Sequence, residues 1–333
     1  MDRPDGVDAR QLEHAVDVLH RGGLVAFPTE TVYGLGALVE HPSAVAAIFD
    51  VKGRPRFDPL IVHLADVRQV EPLVADFPPV ARALAEHFWP GPLTLVLPKH
   101  PAVPDLVTAG LPTVAVRVPS HPMALALLQR TGRPIAAPSA NRFGRISPTT
   151  AAHVRDELGD AVDVILDGGP CSVGIESTIV VCGQEHVTLL RPGGCPREAI
   201  ERVIGTLQLP QQRVTVPLAP GMLPQHYAPH TPLILTTDAP PPGTAHVAGL
   251  LCLQPPPSPD AYAAVEVLSA TGDLREAAVN LFAALRRLDG RGLAVIIAQP
   301  MPNHGLGLAI NDRLLRASHQ PGVAPTEGTH VHA

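Results

Sequence analysis

Between Leu209 and Pro232 the chain carries prolines at positions 210, 217, 220, 224, 229 and 232. Proline has no amide donor and a fixed φ, so neither a regular helix nor a central strand can run through that spacing. The stretch therefore divides the chain into two folding units. The connection is longer than ordinary ones, and long connections usually carry a function or are disordered. The total of 333 residues agrees with two units, since about 150 residues is the usual scale of one domain. We assign 1–206 to a first domain, 207–232 to a linker, 233–320 to a smaller second domain and 321–333 to a flexible tail.

Composition narrows the class. Apolar residues make up 45% and charged residues 17%, which supplies a core and excludes global disorder. A net charge of −6 argues against a basic nucleic-acid domain, although a local basic groove stays compatible with it. Lys52 and Lys99 are the only lysines beside 23 arginines, which draws notice to Lys52. The four cysteines (Cys171, Cys182, Cys195 and Cys252) form no CxxC pair and no zinc-ligand spacing. Reduced thiols in a cytosol are expected. The opening MDRPDGVDAR lacks an apolar signal core, and no run of about 18 apolar residues occurs. A cytoplasmic protein without membrane contact is the expectation.

Apolar Leu12, Ala15, Val16 and Leu19 give a helical period over 9–20, closed by Gly22-Gly23. Strands are expected at 24–29, 60–65, 93–98, 113–119 and 134–140, and in VDVILDGG, ESTIVVC and HVTLLRPGG. Helices are expected over 44–49, 80–88, 123–131, 149–158 and 196–204, with Thr149 or Thr150 capping the fourth. This order predicts a twisted, mixed α/β sheet with flanking helices rather than a doubly wound one. Beyond the linker, strands at 233–237, 246–253 and 293–299 alternate with helices over 274–288 and toward 318. That pattern predicts a small open α/β sheet of Rossmann-like type.

No GxxxxGK[ST] loop, GxGxxG, HExxH or GxSxG is present, so any nucleotide use rests on a less common cradle. Polar segments punctuated by Gly and Pro instead follow the strands. PTETVYGLG (28–36) sets a hydroxyl beside an acid and two glycines, suiting close backbone approach to a ligand. Its bland reading is a capped turn. KGRPRFDPLIVHL (52–64) throws Lys52 and Arg54 to one side if extended, and arginine grips phosphate bidentately. The plain alternative there is a solvated basic loop, and for His63 a packed core residue. APSANRFGRISPT (137–149) suits phosphate oxygens and a ribose. GIESTIV (174–180) and LLRPGG (189–194) each set a polar head at a strand edge. Arg117 in TVAVRVP needs a carboxylate partner, supplied by a ligand or by a structural salt bridge.

In order and content, FPTETVYGLGA, KGRPxxxPLIVH, FWPGPLTLVL, VAVRVPSHP, APSANxxGxxSPT, GxESTIV and LLRPGG resemble the threonylcarbamoyl-AMP synthases of YrdC-like fold. PGMLPQHYAP (220–229) and GLGLAINDRLLRA resemble the longer, two-domain form. The resemblance implies a threonine site at Thr31, His63, Arg117, Ala137 and Ser177. It implies ATP contacts at Arg54, Asp58, Thr113, Ser139, Asn141, Ser147, Arg191 and His226, with Lys52 and Arg54 carrying catalysis. This sequence departs at Asp58, where the family usually has asparagine, and at Leu223 and Gln225, where it usually has basic residues.

The implied reaction joins L-threonine, bicarbonate and ATP, with Mg²⁺ accompanying ATP and no metal site made of protein ligands. The amine captures carbon dioxide, the carbamate attacks the α-phosphorus and pyrophosphate leaves. The implied acceptor of the product is a tRNA-modifying threonylcarbamoyl transferase. Two alternatives stay open. One is a related carbamoyl- or acyl-adenylate former, although the acylphosphatase and zinc-finger segments of hydrogenase-maturation relatives are missing. The other is a non-catalytic RNA-binding module, for which 3% aromatic residues leave little stacking surface and at most a weak RNA contact. The linker is expected to lie over the first domain as a lid, with Met222 as an apolar plug.

Overall fold

The computed structural model describes residues 9–183, 186–209, 221, 223, 226–238 and 245–319. Most of the linker (210–220, Met222, Pro224 and Gln225) and the expected tail lie outside the described residues. The first unit begins with α1 (Ala9–His20), β1 (Val25–Phe27), β2 (Gly34–Leu38), α2 (Pro42–Lys52), β3 (Ile61–His63), α3 (Pro79–Phe88) and β4 (Leu93–Pro98). It continues through α4 (Asp105–Thr108), β5 (Thr113–Arg117), α5 (Pro122–Thr131), β6 (Ile135–Ala136), α6 (Ala151–Leu158) and β7 (Val164–Ile165). It ends with β8 (Thr178–Cys182), β9 (Val187–Arg191) and α7 (Arg197–Ile204). The second unit holds β10 (Leu233–Leu235), β11 (Ala248–Cys252), β12 (Ala264–Val267), α8 (Leu274–Asp289), β13 (Val295–Ala298) and α9 (Gly307–Ser318).

The first unit builds one mixed nine-stranded sheet in the order β7-β1-β2-β6-β3-β5-β4-β8-β9. The second builds a four-stranded parallel sheet, β10-β13-β11-β12. Both agree with the fold class expected from the strand and helix pattern.

Alternation along the strands decides which face is core. Val62, Leu64, Leu95, Leu97, Val114, Val116, Val180 and Leu189 point to one face and pack under α2, α3, α6 and α7. The opposite face is covered at one end by α1 and α5, through Leu12, Ala15, Leu19, Leu127 and Leu128 on Phe27 and Ile135. Farther along that face only a small apolar group remains, made of Ile61, Val96, Ala115, Ile179 and Leu190. The same side chain parity delivers His63, Arg117 and Ser177 there. Arg191 reaches that face through an irregularity: Val180 pairs with Leu189 while Ile179 pairs with Arg191, so Leu190 is an extra residue. The bulge reverses the alternation and aims Arg191 at the pocket side.

Several elements differ from the sequence expectation. Residues 34–38, read as a ligand loop, form β2 inside the sheet; β12 and α4 were not expected. The strand expected over 134–140 is only Ile135–Ala136, beyond which the chain keeps isolated pairing with β2 through the Pro138 carbonyl and Ser139. The helix at 44–49 runs on to Lys52 and stops at Gly53, whose φ of 62° is left-handed. Thr150 rather than Thr149 caps α6, accepting from the His153 amide.

The units share apolar packing. Val32, Ile146, Ile175 and Tyr227 belong to the same buried cluster as Leu281, Phe282, Leu285 and Ile310 of the second unit. Arg286 pairs with Glu157 at 3.1 Å and donates to the Ile146 carbonyl at 2.5 Å, holding α8 against the first unit.

Candidate active site

The uncovered sheet face forms the floor of a pocket with about 500 Å³ of empty space, the open solvent at its mouth included. Thr31, Arg54, His63, Arg117, Ala137, Ser139, Ser177, Arg191 and His226 line it, joining residues from most of the motifs. Lys52, Asp58, Asn141 and Ser147 are buried behind that wall rather than on it. Thr113 is partly exposed at the start of β5, four residues and roughly 13 Å along the strand from Arg117, and does not line the pocket.

Arg117 anchors the first group. Its Nη2 meets Glu30 Oε1 at 2.6 Å, Nη1 donates to Thr31 Oγ1 at 2.9 Å, and Nε donates to the Gly91 carbonyl at 3.1 Å. The carboxylate partner that the strand arginine required is therefore present in the chain itself. Thr31 Oγ1 also lies 2.8 Å from Thr29 Oγ1. Ser177 Oγ sits 2.8 Å from Thr94 Oγ1 and accepts from Arg191 Nη2 at 3.3 Å. His63 packs edge-on against Phe27, so it is both a packed histidine and a wall residue.

The second group gathers the cations. Lys52 ends a helix rather than an extended segment, and its Nζ donates to the carbonyls of Ser139 (2.6 Å) and Asn141. Its chemistry here is to pin the serine–asparagine loop. Burial, then the neighbouring Arg54, pushes its ammonium well below the usual lysine range. Arg54 pairs with Asp58 at 2.9 Å and donates to the Pro59 carbonyl at 2.8 Å. Asp58 is thus turned onto Arg54, and burial raises its carboxyl above the ordinary value. Lys52, Arg54 and Arg191 are only 3%, 6% and 3% exposed, so the solvated-loop reading of Lys52 and Arg54 fails.

Gly221, His226 and Tyr227 form the roof. His226 and Tyr227 are buried, and both line the pocket with Gly221. Tyr227 has φ 63°, a costly conformation for a bulky residue, by about 1–3 kcal/mol. It is held by stacking on Phe282 at 5.7 Å and by the Arg313 guanidinium 5.2 Å from its ring. Burial, then Arg54, Lys52 and Arg191, drives His226 well below its usual range, so the imidazole is neutral. Among the described residues, His226 Nδ1 and Asn141 Oδ1 have no hydrogen-bond partner. Buried polar atoms are rarely left so, which marks His226, the one of the two that lines the pocket, as available to a ligand.

The sequence reading did not select Glu30, Glu176, Gly221 or Tyr227 as site residues. Glu30 and Glu176 sat inside quoted motifs, and the need of Arg117 for a carboxylate was the signal for Glu30. Glu176 accepts from Ser147 Oγ at 2.5 Å and from Arg313 Nε at 2.8 Å. Each carboxylate near the pocket is thereby committed to a guanidinium. Among the described residues no cluster of His, Cys, Asp and Glu could hold a metal.

Burial, then Arg117, pushes His63 down to about 3. Its unfolded value is about 6.5, so below that pH the unfolded chain takes up a proton that the folded site refuses. This contribution is complete above pH 6.5 and is lost progressively toward pH 3, at up to about 1.4 kcal/mol per unit. Between pH 7 and 5 the protein should therefore lose about 2 kcal/mol more than its His63→Gln variant. Denaturant titrations of both at the two pH values test this; equal losses would refute it.

Two family models tile the chain. Sua5_yciO_yrdC, described as Telomere recombination, matches residues 17–193, and Threonylcarbamoyl-AMP synthase, C-terminal domain, matches 195–319. The threonylcarbamoyl-AMP synthase of Pyrococcus abyssi is 42% identical over 94% of this chain and 95% of its own length. That of Bacillus subtilis is also 42% identical, over 92% of this chain and 93% of its own. The crystal structure of P. abyssi Sua5 complexed with L-threonine superposes with a TM-score of 0.85, covering 92% of this chain and 94% of that one. No helix among the described residues is long and apolar enough to cross a membrane. With both family models matched end to end and the fold shared, the chain belongs to the threonylcarbamoyl-AMP synthase family in its two-domain form.

Proposed function

We propose that this chain condenses L-threonine, bicarbonate and ATP into threonylcarbamoyl-AMP and pyrophosphate. The observation that carries the reading is the joining, in one pocket, of the Arg117–Thr31–His63–Ser177 group with the Arg54–Arg191–Ser139 group under a His226–Tyr227 roof. The first group suits an amino acid: a guanidinium for its carboxylate and hydroxyls for its polar groups. Glu30 keeps Arg117 oriented and compensates its charge before substrate arrives. The neutral His63 and nearby guanidiniums disfavour a bound ammonium, so the amine is held in the uncharged form that can attack carbon dioxide.

The carbamate oxygen then bonds to the α-phosphorus as the bond to pyrophosphate breaks; water from bicarbonate and the amine proton go to solvent. No enzyme nucleophile takes part. Arg54 and Arg191 neutralise phosphate charge, while Ser139 and Asn141, pinned by Lys52, and Ser147, held by Glu176, shape the nucleotide wall. His226 contributes a neutral, orientable donor or acceptor. Mg²⁺ enters as part of the ATP substrate, since the pocket's carboxylates are engaged by arginines. The buried roof excludes water from the labile carbamate. The product passes to a tRNA-modifying transferase, and a weak RNA contact is compatible with the reading.

Pyrophosphate release should require threonine and bicarbonate together, and serine should be at least about tenfold poorer, as expected for one lost methyl contact. Release with threonine omitted, or equal rates with many amino acids, would favour the related adenylate-forming reading. Binding of RNA without any turnover would favour the non-catalytic one.

A further inference from the structure

No residue of the second unit lines the pocket, yet one of its helices grips both the roof and a wall. On α9, Arg313 and Arg316 stand one turn apart, and Asp312 accepts from both. Arg316 Nη1 donates to the Leu223 carbonyl at 2.6 Å, and the Arg316 carbonyl accepts from the His226 amide at 3.4 Å. Arg313 is fully buried. Its Nε meets Glu176 Oε2 at 2.8 Å, its Nη1 donates to the Pro192 carbonyl at 2.6 Å, and its plane faces Tyr227.

We propose that Arg313 and Arg316 are positioning residues for the nucleotide, making α9 a latch that holds the returning linker and the Ser147–Glu176 wall in register with the pocket. The inference rests on the proposed synthesis for its substrate, and deepens it by giving the second unit a task. The physical case is that a proline-rich segment has few amides of its own to fix it, so its place must come from outside contacts. At Leu223 and His226 the contacts come from α9. Tyr227 sits at a left-handed φ that its surroundings must impose, and Arg313 is one of the two groups stacked on it. Arg313 also fixes the Glu176 carboxylate whose other oxygen orients Ser147. A planar fork reaches these acceptors from separate nitrogens, Nε for Glu176 and Nη1 for Pro192 and Asp312, which the single nitrogen of a lysine does not reproduce.

The test uses full-length Arg316→Met, Arg316→Lys and Arg313→Lys proteins. Calorimetry with ATP alone and with L-threonine alone gives two dissociation constants, pyrophosphate release gives KM for ATP, and melting gives Tm. Arg316→Met should weaken ATP binding and raise its KM by about tenfold, the loss of one charge-assisted hydrogen bond. Threonine affinity and Tm should stay near the parent's. Arg316→Lys, which keeps a donor, should restore much of the loss, and Arg313→Lys should weaken ATP at least as much as Arg316→Met. ATP affinities within twofold of the parent, or equal losses for ATP and threonine, would overturn the latch. Should Arg313→Lys fail to fold, the Arg316 pair decides alone. A parent protein that binds ATP but releases no pyrophosphate would refute the proposed reaction while leaving the ATP comparison intact.

Discussion

Arg117→Ala is expected to abolish threonine binding and to lower stability by about 3–5 kcal/mol, because it strands Glu30 as a buried, unpaired carboxylate. The two losses have different origins and can be separated. Adding Glu30→Gln removes the orphaned charge while keeping hydrogen-bonding capacity toward the Ser120 amide, which Glu30 Oε2 now accepts at 3.1 Å. The double variant should regain much of the stability without regaining threonine affinity. ATP binding should change little throughout, since Arg117 touches only Glu30, Thr31 and Gly91 among the contacts found. Denaturation and calorimetry on the single and double variants test both halves. A double variant that binds threonine like the parent would leave Arg117 a purely structural cation.

Gly174→Ala should be nearly as damaging, although it adds only one methyl group. Its Cβ would stand 2.4 Å from Val279 Cα and 2.6 Å from the Ala278 carbonyl oxygen, both backbone atoms of α8, at a φ of +76°. Helix backbone cannot swing aside as a side chain can, so α8 must retreat and open the cluster joining Ile175 and Tyr227 to Phe282. The left-handed penalty plus overpacking gives a loss of about 3 kcal/mol or more. Gly22→Ala is the matched control, with φ +80° and nothing within 4 Å of its Cβ. Equal melting shifts for the two would mean that α8 does not rest on Gly174.

What the sequence could and could not reveal follows from the range of the interactions. Helix α1 was legible because its period of apolar residues and its closing glycines are local signals. Strand β2 was not, because GLGAL reads as a loop when glycine is taken only as conformational freedom. In the folded protein Gly36 is small for a tertiary reason: a Cβ there would press on Phe27 and Ile135 of the neighbouring strands at 2.8 Å. The pocket motifs were legible as a set, yet their division was hidden. Lys52 and Arg54 stand two residues apart, and only the helix ending at Gly53 separates the loop-pinning ammonium from the pocket-facing guanidinium. Asp58 could be read as a departure, whereas its engagement by Arg54 needed coordinates. The reach of Arg313 to Glu176, 137 residues away in sequence, leaves no mark in any local pattern.

The bulge at Leu190 has one more consequence. Arg191 owes its direction to one extra residue absorbed as a bulge in β9, not to its neighbours' chemistry. Swapping Leu190 for another apolar residue keeps that bulge and so keeps the guanidinium aimed at the pocket. Removing the residue altogether would set Arg191 directly after Leu189, on the opposite face by ordinary alternation, so the guanidinium would stay opposite Ile179 with the bulge gone. This strand is therefore tolerant of spelling and intolerant of straightening: the same letters in unbroken alternation would carry a pocket-facing charge into an oily interior.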